Sequence, residues 1–315
     1  MINSEGLKFI VSSAHSFLEE KIRRERKSNN VWRPFDDLSE SDIVKMHLSP
    51  NINVDNATRE EIFSRLLLSI QNRSGLPNII SGQLVNGWED LGDMLGGFNP
   101  EAILEKWENH DELFSFFLEQ KRSGRIGGEM RSEKKSAWPQ FSRGIISSAN
   151  FFAKYKTSKE FMDWQWNFKG DPYLLVALPL ILSREIYGLG FALACDFLKE
   201  IGRVDFPKPD THTKFLINNL GISSAQDDYQ AVLDICWAAR KIDLTPYEFD
   251  KILWLIGSGR FYLIRSEGKE LSIGRNKKYF IDYIKSQEGA ITFMNDLGKV
   301  VEIKGFHQSE SPFDE

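Results

Sequence analysis

From Gly6 to Lys27 the apolar residues Leu7, Phe9, Ile10, Ala14, Phe17, Leu18 and Ile22 keep the three- and four-residue spacing of an amphipathic helix. That spacing returns along most of the chain, and it constrains the fold more than any other feature. Nothing alternates strand with helix as a parallel α/β sheet requires. A mostly α body is therefore predicted. Further helices are expected near Ser41–His47 and over Thr58–Ile70, where Thr58, Arg59, Glu60 and Glu61 form a capping box. Others are expected at Pro77–Leu95, Pro100–Trp107, Glu112–Gln120, Trp138–Phe168, Ser224–Ala239 and Thr245–Ile256. Ser28 to Asn56 is otherwise polar and broken by Pro34 and Pro50, which reads as loop. Short β-like runs close the chain at Leu271–Ile273, Ala290–Phe293 and Val300–Ile303. The expected division is an N-terminal helix and extension (1–56), a helical bundle (57–205), a second helical lobe (206–264) and a C-terminal extension (265–315).

Composition narrows the function classes. Over 315 residues the hydrophobic fraction is 41%, with 23 Phe and 8 Trp, which is ample for a buried core. Lys and Arg number 40 against 45 Asp and Glu, so the formal charge is −5. A uniformly basic protein that coats nucleic acid is excluded, although a local basic face is not. With 2 Cys, Cys195 and Cys236, neither a disulfide framework nor a four-cysteine zinc or iron–sulfur site can form. The histidines His15, His47, His110, His212 and His307 share no metal-ligand spacing, so no metal is expected. The longest apolar run, Tyr173 to Leu182, contains Pro179 and falls short of the roughly 20 residues of a membrane helix. The N-terminus lacks the pattern of a signal peptide. These features predict a cytoplasmic protein without a membrane partner.

The most informative segment runs from Leu178 to Ala194, with Tyr187-Gly188-Leu189-Gly190 at its centre. A helix stops at a glycine, one apolar residue turns inward, a second glycine follows, and a new helix begins. Glycine serves a positive φ and a close backbone approach in such a turn. The first amides of the new helix offer an anion site, suited to a phosphate. An ordinary helical hairpin would read the same way. Past Pro207 and Pro209, however, comes Asp210-Thr211-His212-Thr213-Lys214, at a helix start. Together these segments resemble the helix-hairpin-helix DNA glycosylase superfamily. The likeness is strongest over 178–216. It extends more weakly over 62–257, including Leu68-Ser69-Ile70-Gln71, which is similar to an early Leu-Ser-x-Gln segment of that family.

The resemblance implies a two-lobed helix-hairpin-helix glycosylase fold with a catalytic cleft between domains, acting on double-stranded DNA as a monomer, nucleoid-associated when at work. It implies that Gly188, Leu189 and Gly190 hold a DNA phosphate, sometimes with a monovalent cation on the carbonyls of 187–190. No other cofactor is required. Asp210 matches the catalytic carboxylate. Proline, aspartate and threonine before a helical run also make a good N-cap, and both roles can hold at once. His212 matches a histidine near the backbone of the extruded nucleotide, or is a surface helix residue. Gln71 is a candidate to fill the gap left by an extruded base, or a polar helix end. Bifunctional members carry a lysine where this chain has Ala192, and alanine cannot form a Schiff base. The resemblance thus implies the monofunctional branch without an iron–sulfur cluster. Its members excise oxidised, alkylated or mismatched bases, and some bacterial relatives remove hypermodified cytosines, such as glucosylated hydroxymethylcytosine, from phage DNA. A non-catalytic DNA-binding protein that keeps the hairpin, and a helical adaptor without a DNA role, remain as alternatives.

Two further sets complete the candidates. Lys121 to Ser136 is basic, glycine-rich and poor in apolar residues, and it reads as a flexible surface loop. Its Lys121, Arg122 and Arg125 are candidate DNA contacts, or members of a solvated linker. Trp138, Phe141, Phe152, Trp164 and Trp166 are candidates to stack on an extruded base, and each also suits the core. The acidic stretch Glu101–Glu119 and the final Glu310–Glu315 balance the basic patches.

Overall fold

The computed structural model describes residues 3–48, 57–73, 79–261, 271–286, 291–294 and 300–303. The chain forms two compact units, residues 1–50 with 203–315, and residues 51–202. Both are helical, as the spacing predicts.

In the first unit, helix α1 spans Ser4–Ser28, with the Asn3 side chain accepting from the Gly6 amide. Its apolar face packs on α2 (Glu40–His47), α13 (Pro246–Ser258) and α14 (Lys277–Ser286). The N-terminal helix thus shares one core with the chain after residue 203. That core joins Leu7, Phe17 and Ile22 to Phe249, Ile256 and Phe280. Helices α11 (Thr211–Asn219) and α12 (Asp228–Arg240) complete the unit. Two antiparallel pairs close the chain. β1 (Arg260–Phe261) pairs with β2 (Leu271–Ser272), and β3 (Ile291–Met294) pairs with β4 (Val300–Ile303). Helix α14 lies in a stretch for which the sequence reading had no helix.

The second unit is built on α3 (Arg59–Ile70), α4 (Trp88–Met94), α5 (Pro100–Lys106), α6 (His110–Arg122) and α7 (Ala137–Phe152). It continues with α8 (Ser158–Trp166), α9 (Pro172–Glu185) and α10 (Phe191–Glu200). The capping box at Thr58 and Glu61 forms. Arg59, nearly buried, donates from both terminal nitrogens to Glu101, each at 2.6 Å, and to the Tyr155 carbonyl at 2.9 Å. It ties α3 to α5 and to the end of α7.

Three sequence expectations need correction here. The helix expected over Pro77–Leu95 starts at Trp88. Gly87 has φ +70° and a short 3-10 turn covers Ser81–Gln83, while Pro77 lies outside the described residues. The helix expected over Trp138–Phe168 is two helices, broken between Phe152 and Ser158 where Thr157 caps the second. The basic segment is no free loop. Lys121 and Arg122 close α6, Ile126 is buried opposite Leu84 in an antiparallel bridge, and the Gly127 amide donates to the Gln83 carbonyl at 2.7 Å. The acidic Glu310–Glu315 end lies outside the described residues.

Candidate functional site

The turn between α9 and α10 has the expected shape. Gly188 has φ +86°, which a side chain would strain, and Leu189 is buried between the two glycines. Gly190 departs from expectation. Its φ is −67°, open to any residue, and a Cβ there would meet nothing within 4 Å. The protein itself therefore does not require a glycine at 190. No side chain caps α10 at this end, so its first turn faces an open approach. A hollow of about 350 Å³ lies here, lined by Arg73, Ser183, Gly188, Leu189, Gly190 and Leu193. Within the same unit Ser69 donates to Asp196 at 3.2 Å, both buried. The Leu-Ser-x-Gln segment thereby braces the second helix of the hairpin.

Beside Gly188 stands a cluster that the sequence did not disclose. The guanidinium carbons of Arg143 and Arg73 lie 4.1 and 5.0 Å from the centre of the Tyr187 ring. Arg73, by hydrogen bonding, and then Arg143 hold the Tyr187 hydroxyl below its usual range, against the effect of burial. The Tyr187 amide donates to Ser147 at 2.8 Å. Gly144 lets α7 come close, because a Cβ there would lie 3.3 Å from the Tyr187 carbonyl. The three residues come from separate segments, so only packing could reveal the cluster.

Next to it is a cavity of about 490 Å³, walled by Ile70, Ile79, Ile80, Trp138 and Phe141, with Gln71, Arg73, Arg131 and Lys135 among its polar lining. Three sequence candidates meet here: Gln71, Trp138 and Phe141. The other aromatic candidates do not line it. Phe152 is fully buried between Phe63 and Phe161. Trp164 packs on Phe151, Tyr155 and Phe168. Trp166 is exposed, with Lys169 over its ring at 5.3 Å. Gln71 is not held out toward solvent as a gap-filling residue would be, because its Oε1 accepts from the Ser81 amide at 2.9 Å and the side chain is buried. Arg125 pairs with the buried Asp90 at 3.3 Å and with Asp93 at 3.7 Å, so it is committed to the fold. Lys121 donates to the Gly128 carbonyl. Arg122 is exposed at the end of α6.

In the first unit Asp210 is the N-cap of α11. Its Oδ1 accepts from the His212 and Thr213 amides at 2.8 and 2.9 Å, whereas Oδ2 accepts no hydrogen bond among the described residues. The capping role is therefore real, and it leaves one carboxylate oxygen open. The segment is pinned from behind by Asp250 on α13, fully buried, whose Oδ2 accepts from the Lys208 amide at 2.9 Å and Oδ1 from the Thr213 hydroxyl at 2.7 Å. Sequence reading missed Asp250, although a carboxylate on the apolar face of an amphipathic helix is the available signal. Lys277, at the start of α14, donates to the Thr211 carbonyl at 3.4 Å. Burial lowers the pKa of Lys277 and of His212, and Asp210 opposes the shift in both.

His212 sits against α13 because residue 257 has no side chain. A Cβ on Gly257 would lie 2.7 Å from the His212 Cβ. Gly257→Ala should displace His212 and the first turn of α11, at a cost of about 1–3 kcal/mol from overpacking. Thermal melting checks this, and an unchanged melting temperature would show that the turn yields freely. Among the described residues, no group of three or more His, Cys, Asp or Glu converges as a metal site, and no helix is long and apolar enough to cross a membrane.

No protein-family model matches the chain, and no curated protein matches it. Its fold is similar to that of the Methanocaldococcus jannaschii 8-oxoguanine glycosylase/lyase in complex with a 15mer DNA containing 8-oxoguanine. That match has a TM-score of 0.42 and 17% identity, over 76% of this chain and 96% of that one. It is also similar to the 8-oxoguanine DNA glycosylase of Thermotoga maritima, with a TM-score of 0.36 and 17% identity, over 77% of this chain and 96% of that one.

Proposed function

We propose that this chain is a monofunctional DNA N-glycosylase, which extrudes a damaged or modified base and hydrolyses its bond to deoxyribose. Asp210 carries the reading. It is a half-buried carboxylate fixed through one oxygen to two backbone amides, with the other oxygen open, and it follows the Gly188-Leu189-Gly190 hairpin at the sequence spacing that the glycosylase resemblance implies. As the bond between C1′ and the base nitrogen breaks, its electron pair leaves with the base and positive charge develops on the sugar. A carboxylate held in place stabilises that charge without reorganising. The same group accepts a proton from the water whose oxygen bonds to C1′. The product is a free base and an abasic site. Ala192 offers no amine at the position that bifunctional members use, so water is the nucleophile in this reading.

The hairpin supplies the grip on the backbone. The open approach at Gly190 and the uncapped first turn of α10 suit a phosphate, and a bound monovalent cation on the turn carbonyls would add to it. Gly190→Ala separates this role from folding. Nothing in the protein blocks the methyl group, so stability should change by no more than about 1 kcal/mol. Duplex affinity should fall about tenfold, because the methyl group stands where the phosphate approaches. Unchanged affinity would remove the hairpin from DNA binding.

Excision of hypermodified cytosine from phage genomes, and repair of oxidised or alkylated purines, are the two services this chemistry performs. Mass spectrometry of bases released from DNA containing glucosylated hydroxymethylcytosine, 8-oxoguanine and alkylated purines distinguishes them. Release of no base from any pool, with duplex binding intact, would leave a DNA-binding protein without catalysis.

A further inference from the structure

We infer that Arg275 and Lys277, in the C-terminal extension, hold the DNA phosphate beside the sugar on which Asp210 acts. This deepens the glycosylase reading and rests on it for the identity of that sugar.

Both residues lie past residue 257, where the glycosylase resemblance ends, yet their segment is built into the Asp210 site. Gly259, with φ +69°, closes α13, and a Cβ there would collide with the Gly274 carbonyl. The Ile273 amide donates to the Gly259 carbonyl at 2.8 Å, and the Asn276 amide to the Ile256 carbonyl at 3.1 Å. The buried Asn276 side chain donates to the Ile273 and Gly274 carbonyls at 2.9 and 2.7 Å. The backbone on both sides of Arg275 is thereby fixed to α13, the helix that also carries Asp250 and Gly257 behind α11. Lys277 opens α14. Its ammonium donates to the Thr211 carbonyl, one residue past Asp210, at 3.4 Å, and lies over the Phe215 ring at 5.2 Å.

These cations share one field with the site. After burial, the groups that act most on Lys277 are Asp210, which favours its charge, and Arg275, which opposes it. His212 is likewise lowered first by burial, with Asp210 opposing and Lys277 and Arg275 adding to the shift. Arg275, Lys277 and the adjacent Lys278 form no ion pair among the described residues, and the first turn of α14 holds no acid. Like charges held close together repel. Charge pairing within the fold therefore does not account for this cluster.

The chemistry at Asp210 selects its partner. Positive charge develops on the sugar as the base leaves, and two cations nearby would oppose it unless an anion neutralises them. The anion that accompanies every sugar in DNA is its phosphodiester. Its oxygens accept from a guanidinium through two donors in one plane, and from an ammonium as a point charge.

The test uses the full chain and fluorescein-labelled duplexes that carry a tetrahydrofuran abasic-site analogue. The phosphate on its 5′ or 3′ side is left intact or replaced by a neutral methylphosphonate, and affinity is read by anisotropy over a range of salt. Wild-type protein should lose about tenfold in affinity when one of the two phosphates is neutralised. In Arg275→Gln/Lys277→Gln the same replacement should cost less than about twofold, because the contact is already gone. The slope of log affinity against log salt should be shallower by about 1, as for one lost phosphate contact. Arg275→Gln alone, at an exposed position, should lower the penalty to about threefold, and it serves if the double variant does not fold. Lys278→Gln removes a neighbouring charge and should keep the wild-type penalty. A wild type indifferent to both replacements, or a folded double variant that keeps the penalty, overturns the inference. Loss of the penalty in Lys278→Gln would trace it to overall charge and overturn it as well. A penalty that disappears in the double variant, in a chain that releases no base, would uphold the phosphate site while removing the glycosylase reading.

Discussion

Asp210→Asn is expected to slow base release by about a thousandfold or more and to leave duplex affinity within about twofold. Asparagine keeps the oxygen that accepts from the His212 and Thr213 amides. It is also among the best N-cap residues, so α11 and its connector should stay in place. What disappears is the negative charge and the ability to accept a proton from water. Fixed electrostatic groups contribute about 10²–10³ in rate, and general bases about 10²–10⁴. Single-turnover release of the base, with binding measured in parallel, checks both halves. Undiminished release would sink the mechanism proposed for Asp210.

Asp250→Ala should act through a different link. Asp250 lies behind the Asp210 segment. It is fully buried and holds the Lys208 amide and the Thr213 hydroxyl on either side of Asp210. Removing it strands two polar groups, each at a cost of roughly 1–3 kcal/mol. The melting temperature should fall by about 10 °C. Release by the protein that remains folded should fall up to about a hundredfold, because a displacement on the order of 1 Å costs that much in a positioned site. Asp250→Asn retains one accepting oxygen and should recover part of both losses. Release at the wild-type rate in a destabilised Asp250→Ala protein would show that Asp250 serves the fold alone.

The two sites differ in how legible they were. Asp210 and the two hairpin glycines lie in short contiguous motifs, and local geometry dictates the residue type at Gly188 and at Asp210. Positive φ at Gly188 and capping at Asp210 are both local demands. Gly190 was read as a conformational necessity as well, yet its backbone is unstrained and its surroundings are empty. The space around it shows that the fold itself does not ask for a glycine there. Its basic run makes Arg125 a candidate DNA contact or a member of a solvated linker. Its actual partners, Asp90 and Asp93, lie some thirty residues away and could not be inferred from charge.

Periodicity by itself determined the helical class and most helix positions, because amphipathic spacing and capping act within a few residues. It could not find the break between α7 and α8, where apolar residues continue through a turn. Nor could it find the late start of α4 after Gly87. Tertiary structure alone decided three further matters. It placed α1 in one core with the helices after residue 203. It gathered Arg73, Arg143 and Tyr187 beside the hairpin. It brought Gln71, Trp138 and Phe141 to one cavity, while sending Phe152 and Trp164 into other packing and leaving Trp166 exposed. The aromatic residues share the same local signals, so sequence could not separate them. Which of them lines a cavity depends on long-range packing, in which each side chain takes the place its neighbours leave open.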